Sequence, residues 1–527
     1  MGKYELLLGD EAIALGAIHA GVDVAYSYPG TPASEILEYI EKRGREFGVK
    51  AYWSANEKVA YEQALGLSFA GKRALVSMKH VGLNVAMDPF VNSAISGVHG
   101  EVVVAVADDP GMYSSQNEQD TRYLAEFAMI PYFEPSDQQE CYDMTRDAFR
   151  YSGKLKLPVL IRVVTANAHS RSEVIVRDPD PKSTLAKMKD RSQFLLMPPN
   201  SRRLFRELVE KQKEIVRLSE ESRYNILDLT GNKEKGIITS GVAYNYLREV
   251  FHGKIPHPFL RVGMYPVPEQ KLRKIIELVD EIYVVEEGYP FLETITRRCA
   301  SFSGKNVHGK LDGVFPRTGA LNPTIIAKGF GMPVLTPEWP ELPVLPPRPP
   351  QFCRGCPHAD TYTALNEALS AYREPTVLSD IGCYTLGFYP PYNAIESDID
   401  MGASIGMAIG ASQAGLFPVV AVIGESTFTH SGMTGVVTAV KEKADITVLI
   451  LDNRAVAMTG GQESMHSGDE LVAVISGLGV PKEHIRVIVP LPKNKEQNVK
   501  IIREEIEYHN VSVIISRRDC IHVAGRR

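Results

Sequence analysis

Glu425 and Asn453 are the residues whose chemistry is easiest to name. Glu425 lies in Gly424-Glu425-Ser426, directly after the apolar, β-branched run 419–423. Asn453 lies in Asp452-Asn453, directly after a second such run, 446–451. Runs of this kind read as strands buried on both faces of a parallel sheet. A carboxylate and a carboxamide therefore stand at the C-terminal ends of two parallel strands, the edge where open α/β sheets bind ligands. Both are hard oxygen donors. A divalent ion such as Mg2+ takes one or two such side chains and fills its remaining positions with phosphate oxygens and water. Two surface turns of an ordinary Rossmann-like domain would look the same.

Other residues carry chemistry too. Glu57, in Trp53-Ser54-Ala55-Asn56-Glu57, opens an Ala-rich helix that reaches about residue 70. A carboxylate at a helix start is also what the helix dipole favours. Cys353-Arg-Gly-Cys356-Pro-His358 is a CxxC, a metal or redox pattern in a reducing compartment. Gly402-Ala403-Ser404 opens a small-residue helix, where backbone N–H groups can approach an anion. Close helix packing explains the same glycines. Thr459-Gly460-Gly461-Gln462 is similarly suited to phosphate. His430 follows Glu425 closely enough to share its site, though a single histidine is as well explained by a structural role.

The elements that must position these groups follow from periodicity. In residues 1–190, helix-like 10–20, strand-like 22–27, helix-like 33–42 and the buried runs 102–107 and 157–163 predict a parallel α/β domain. Tyr28-Pro29-Gly30-Thr31-Pro32 is a tight turn between strand and helix, and Asp109 to Asp120 is a long polar loop. Residues 191–232 are expected to connect, with a charged amphipathic helix over 201–221 as a solvated face. A second α/β unit is expected over 233–332, with strands at 237–240 and 282–285 and a helix near 242–251. Residues 333–350 hold eight prolines, so a stiff extended linker is expected there. The last domain then spans 351–527.

The Glu425–Asn453 spacing resembles the thiamine-diphosphate signature, which has Gly-Asp-Gly or Gly-Asp-Ser and then Asn just under thirty residues on. One position departs: Glu425 stands where that signature has Asp. Together, Tyr28-Pro29-Gly30-Thr31-Pro32, Lys79-His80-Val81-Gly82-Leu83-Asn84 and the 109–120 loop are similar to the large (alpha) subunit of the indolepyruvate ferredoxin oxidoreductases. These are arylpyruvate members of the 2-oxoacid:ferredoxin oxidoreductases. The resemblance runs to about Arg518. It implies two thiamine-diphosphate-binding-type parallel-sheet domains, 1–190 for the pyrimidine and 351–527 for the diphosphate, flanking a smaller transketolase C-terminal-like α/β domain.

It also implies roles. Glu57 would hydrogen-bond the cofactor's aminopyrimidine and so activate it. Thr31 would contact the substrate carboxylate, and His430 would face the cofactor. Glu425, Asn453 and the Ala455 carbonyl would hold Mg2+. Gly402, Ala403, Ser404, Gly424, Ser426, Thr427, Thr459 and Gly460 would meet the diphosphate. Glu286 and Glu287, in the middle domain, receive no catalytic role. The implied reaction is oxidative decarboxylation of a 2-oxoacid to an acyl-CoA, with electrons passed to ferredoxin. The implied assembly is a dimer of pairs, each with a smaller beta subunit. The family's ferredoxin-like domain with two four-cysteine runs has no counterpart in these 527 residues. The implied electron acceptor is ferredoxin or a ferredoxin-like subunit, which would take the electrons directly if the chain holds no cluster of its own. Wider relatives hold one [4Fe–4S] cluster beside the thiamine, and Cys353, Cys356 and Cys383 match its first three ligands, with Cys520 the only later cysteine. Buried structural thiols, or zinc with His358 as a ligand, would use the same residues.

Composition narrows the classes. A formal net charge of −6 gives no reason for nucleic acid or a membrane surface. Hydrophobic residues at 44% and charged residues at 23% are ordinary for a globular protein of two to four domains. No run approaches the length of a membrane span, and Met1-Gly2-Lys3 does not lead into a signal peptide. Six cysteines do not make a disulfide scaffold, so the cytoplasm is expected. A non-oxidative thiamine-dependent decarboxylase or carboligase, needing no cluster, and a degenerate assembly subunit are the two rival classes. Glu425 in place of Asp favours the latter.

Overall fold

The computed structural model describes residues 3–334 and 349–524. The expected proline-rich linker falls almost entirely outside them. The chain divides into two compact units, one on either side of that segment.

A seven-stranded sheet forms the base of the first unit. In spatial order its strands are Met264–Tyr265, Tyr132–Phe133, Val159–Val164, Val102–Asp108, Ala74–Lys79, Val24–Ser27 and Lys50–Trp53. Neighbours pair parallel except the first two, which are antiparallel. The strand Val102–Asp108 reads VVVAVAD and is buried at every residue, as a central parallel strand must be. Each Val or Ile buried there contributes about 1.5–3 kcal/mol. The helix Glu57–Phe69 packs on Val24–Ser27 and Ala74–Lys79. One edge of the sheet therefore delivers the 28–32 turn, the Glu57 helix, Lys79-His80 and the 109–120 loop.

Together with an antiparallel pair, Lys3–Leu8 and Arg171–Val176, a five-stranded sheet completes this unit, in the order Asn306–His308, Glu281–Val285, Lys235–Ser240, Phe259–Val262 and Ile226–Asp228. Only the last strand is antiparallel. Ile226–Asp228 lies within the stretch expected merely to connect, so that expectation is corrected: its end is an edge strand. With only three residues, none of them buried, it leaves no pattern to read. The rest of the stretch is the helix Pro198–Glu221, whose Leu204, Leu208, Ile215 and Leu218 are buried, so one face packs rather than being solvated.

Between the two sheets lies a buried ion network. Arg122 pairs with Asp120 at 2.5 Å and Glu286 at 2.8 Å, and Arg162 with Asp108 and Glu134 at 2.6 Å each. Glu286 also accepts the Leu292 and Glu293 N–H groups, and Glu287 accepts that of Leu321. These two glutamates hold the fold together.

Five parallel strands carry the second unit, in the order Thr376–Ser379, Val419–Gly424, Thr447–Asp452, Ser512–Arg517 and Ile485–Ile488. The register sets Gly424 beside Leu451 and Ser379 beside Val422. Asp380, Glu425 and Asn453 therefore leave the sheet at one edge. The fold is α/β with parallel sheets in both units.

Candidate active site

In the first unit, Glu57 is the first residue of its helix and is 5% exposed. Asn56 caps that helix by accepting the Val59 N–H at 2.9 Å. The Glu57 carboxylate lies against Gly82. A Cβ on Gly82 would stand 2.5 Å from Glu57 Oε1 and 2.6 Å from its Cγ. Only glycine leaves that space, and a glycine inside the short helix His80–Val85 was the signal available in sequence.

Thr31 is half-buried in its turn. The Ser114 hydroxyl donates to the Thr31 carbonyl at 3.4 Å, and Lys79 Nζ donates to the Ser114 carbonyl at 2.9 Å. The 109–120 loop is thereby stitched to the Thr31 turn. Lys79 is buried, which lowers its ammonium to about 8 against the pull of Asp109.

In the second unit the expected metal ligands meet. Glu425 is 2% exposed. Its carboxylate accepts the Ala455 N–H at 3.0 Å and the Asn453 N–H at 3.4 Å. Asn453 Oδ1 accepts the same Ala455 N–H at 3.1 Å. Burial, then the charge of Asp452, pushes the Glu425 carboxyl up to about 8. A divalent cation would supply the missing counter-charge, so the donor set fits Mg2+.

His358 is engaged by Asn453 Nδ2 at 3.1 Å. Burial first, and the Arg518 charge second, hold this imidazole down to about 4. It is neutral and accepts the amide N–H, which leaves the Asn453 oxygen as the donor to a cation. The alternative of His358 as a zinc ligand is thus corrected: it orients Asn453.

The helix start at Gly402 differs from expectation. Asp380 Oδ2 accepts the Gly402 N–H at 3.2 Å and the Ser404 hydroxyl at 2.6 Å, and the Tyr384 hydroxyl donates to Oδ1. The anion at this helix start is the chain's own carboxylate, pushed up to about 7 by burial against those hydrogen bonds. Gly402 and Ser404 are thereby already engaged. Gly402 has φ +95°, and a Cβ there would stand 2.7 Å from Ser431 Cβ, so it brings the His430–Ser431 turn against the helix. That turn is the π-helical segment Phe428–Gly432, a form that recurs at functional sites. His430 is buried, with Nδ1 at 2.5 Å from the Ser431 hydroxyl. The Thr427 hydroxyl donates to the Ile381 carbonyl at 3.2 Å. Thr459 donates to Gln462 Oε1 at 2.8 Å, next to Gly460 at φ +133°.

The four expected cysteines also come together. Burial pushes the Cys383 thiol up to about 12, and Cys356, Cys520, Cys353 and Glu425 are near enough to add to it. The Cys356 thiol accepts backbone N–H bonds from His358 and Ala359 at the start of the helix Pro357–Leu369. Cys520 N–H donates to the Asn453 carbonyl at 3.0 Å, and Cys353 Sγ lies 3.2 Å from His522 Nε2. The quartet therefore adjoins the Glu425–Asn453 pair. Sequence reasoning left Asp380 and His522 without roles. Asp380 carried the signal that marked Glu425, an acid directly after an apolar strand.

A chain that sets an acid and an amide at parallel strand ends, with a second buried glutamate in another α/β unit, is built as thiamine-diphosphate enzymes are. Two sequence profiles agree. Residues 15–213 match "Pyruvate flavodoxin/ferredoxin oxidoreductase, thiamine diP-bdg", and residues 380–489 match "Thiamine pyrophosphate enzyme, C-terminal TPP binding domain". The chain is the thiamine-diphosphate-binding alpha subunit of a 2-oxoacid oxidoreductase of the ferredoxin-linked class. It is 37% identical over 559 aligned residues to "Indolepyruvate oxidoreductase subunit IorA" of Methanothermobacter thermautotrophicus, covering 99% of this chain and 88% of that one. The subunit of the same name from Thermococcus kodakarensis is 35% identical over 98% of this chain and 86% of its own length. The chain belongs to the IorA family. In fold it resembles the 2-oxoglutarate:ferredoxin oxidoreductase of Magnetococcus marinus, at a TM-score of 0.52 and 16% identity, over 63% of this chain and 65% of that one.

Proposed function

We propose that this enzyme's substrate is an arylpyruvate such as indolepyruvate, converted with coenzyme A to the aryl-acyl-CoA and CO2. Two electrons go singly to ferredoxin and one proton is released. The aryl preference rests on the IorA relatives. The observation that carries the oxidative reading is the cysteine quartet adjoining Glu425 and Asn453.

Thiamine diphosphate, when bound, would supply a nucleophilic carbon and an electron sink for the decarboxylation. The chain's residues do the rest. Glu57, dry and fixed against Gly82, holds the proton exchanged with the aminopyrimidine. Glu425 and Asn453, the latter oriented by His358, hold Mg2+ with the Ala455 carbonyl. The Glu425 carboxylate already reaches the Asn453 and Ala455 amides, so its extra methylene relative to Asp is accommodated. That argues against a degenerate site. Gly424, Ser426, Thr427, Thr459 and Gly460, with the Ala403 amide, meet the diphosphate. The Thr31 turn, tied to the 109–120 loop, receives the substrate carboxylate, and His430 faces the cofactor.

Cys353, Cys356, Cys383 and Cys520 hold one [4Fe–4S] cluster. A smaller beta subunit and a ferredoxin-type acceptor complete the machine as a dimer of such pairs. The same reading puts it in the cytoplasm, where six unpaired cysteines stay reduced. Among the described residues no helix is long and apolar enough to cross a membrane.

The test is a 2-oxoacid panel under anaerobic conditions with coenzyme A and a one-electron acceptor, reading product. Arylacyl-CoA formed faster than acetyl-CoA from pyruvate supports the proposal; aldehyde as sole product refutes the oxidative step. Glu425→Ala should lose cofactor binding, whereas Glu425→Asp keeps it; equal affinity in Glu425→Ala and wild type would remove Glu425 from the metal.

A further inference from the structure

Away from the thiamine residues, three side chains of the first unit converge without a use. Asp10 lies in the first turn of the helix Gly9–His19, Glu35 in the first turn of Ser34–Arg43, and His169 just after Thr165–Ala168. One ligand atom from each lies within 4.8 Å of the others. Asp10 is fully buried, and neither of its carboxylate oxygens has a hydrogen-bond partner. Glu35 Oε2 is also buried and unpartnered, while Glu35 Oε1 lies 3.5 Å from His169 Nε2. Among the described residues no lysine or arginine forms an ion pair with Asp10 or Glu35. A buried carboxyl with no donor and no cation is costly. Something positive belongs there.

We propose that Asp10, Glu35 and His169 form a binding site for a divalent transition-metal ion, separate from the Mg2+ site. Two carboxylates and an imidazole suit Mn2+, Fe2+ or Zn2+ better than an all-oxygen site for Ca2+ or Mg2+. Glu35 and His169 are each 34% exposed, which opens the site on one side for the ion and its waters. The ion would tie two helix starts to the His169 loop. Ser34, beside Glu35, accepts the Gly30 N–H at 2.9 Å through its hydroxyl, so the same tie steadies the turn that carries Thr31. This inference does not depend on the thiamine chemistry.

Mn2+ is the probe, because the cysteine quartet competes poorly for it. The full chain, free of thiamine diphosphate, is titrated with Mn2+ and read by electron paramagnetic resonance. One tightly bound Mn2+ per chain is expected, kept in Glu425→Ala and weakened about 100-fold or more in Asp10→Asn and in His169→Ala, since even outer-shell changes cost 10–100-fold. His169→Ala alters a partly exposed residue and keeps the test alive if Asp10→Asn does not fold. Absence of tight Mn2+ from the wild-type chain, or equal binding in the variants, would overturn the site and leave a proton shared between the carboxyls.

Discussion

At the residue scale the proposed chemistry would depend on one glycine as much as on one glutamate. Glu57→Gln should leave thiamine diphosphate bound and stop turnover, because the amide cannot exchange the aminopyrimidine proton. The loss should be at or above the upper end of the 10²–10⁴-fold range typical of general acid–base groups. Gly82→Ala should act through the same carboxylate, since its Cβ would stand 2.5 Å from Glu57 Oε1. An alanine in the helix His80–Val85 is otherwise harmless, so stability should hold while turnover falls about tenfold or more. Steady-state rates beside cofactor titration and thermal melts check both variants; unchanged turnover in Gly82→Ala would show that the carboxylate can move without harm. Legibility divides along the same line. Glu425 and Asn453 stand out in sequence because each follows an apolar strand run, whereas only the CxxC of Cys353 and Cys356 is a local pattern; Cys383 enters through the resemblance and Cys520 as the one later cysteine. The His358–Asn453 bond and the Asp380–Ser404 bond do not stand out, because each joins residues far apart in the chain whose pairing only the sheet register decides.

At the scale of elements, the long apolar runs were read within a residue or two: Val419–Gly424, Thr447–Asp452 and Val102–Asp108 are where the β-branched residues put them. Ile226–Asp228 and the π-turn Phe428–Gly432 were not, since three residues and one extra residue per turn leave no periodicity. The helix Gly9–His19 packs on Gln138–Leu155 through a buried histidine. His19 Nδ1 lies 2.8 Å from the Tyr142 hydroxyl, and burial, then Arg146, lowers its pKa to about 4. The folded value lies below the unfolded 6.5, so this contribution is complete above pH 6.5 and is lost as pH falls toward 4. Denaturant unfolding at pH 7.5 and pH 5 should show His19→Gln reducing the acid-induced loss of stability. An identical pH dependence in variant and wild type would remove His19 from the account.

At the scale of the whole molecule, what must be explained is where two electrons go after CO2 leaves. Cys353, Cys356, Cys383 and Cys520 come from three places in the last 175 residues, yet the other three are near enough to Cys383 to raise its thiol. A mononuclear zinc with bonds of about 2.3 Å would draw its thiolates to roughly 3.8 Å from one another. Among the described residues the only acid, histidine or cysteine set within 4.8 Å is Asp10, Glu35 and His169, so the quartet is spread wider than zinc asks. A cubane of irons and sulfides needs that wider spacing and exactly one thiolate per iron. It also needs hydrogen bonds to its thiolates, and Cys356 already accepts two backbone N–H groups. Its place against Glu425 would put the first electron acceptor beside the cofactor. The protein purified anaerobically should therefore carry about four irons and four acid-labile sulfides per chain. Cys383→Ser should lose most of that iron, and acyl-CoA formation with it, because the electrons then have no acceptor within reach, while thiamine diphosphate stays bound. A chain that contains no iron yet reduces ferredoxin at full rate would sink the cluster and send the electrons directly to a partner subunit.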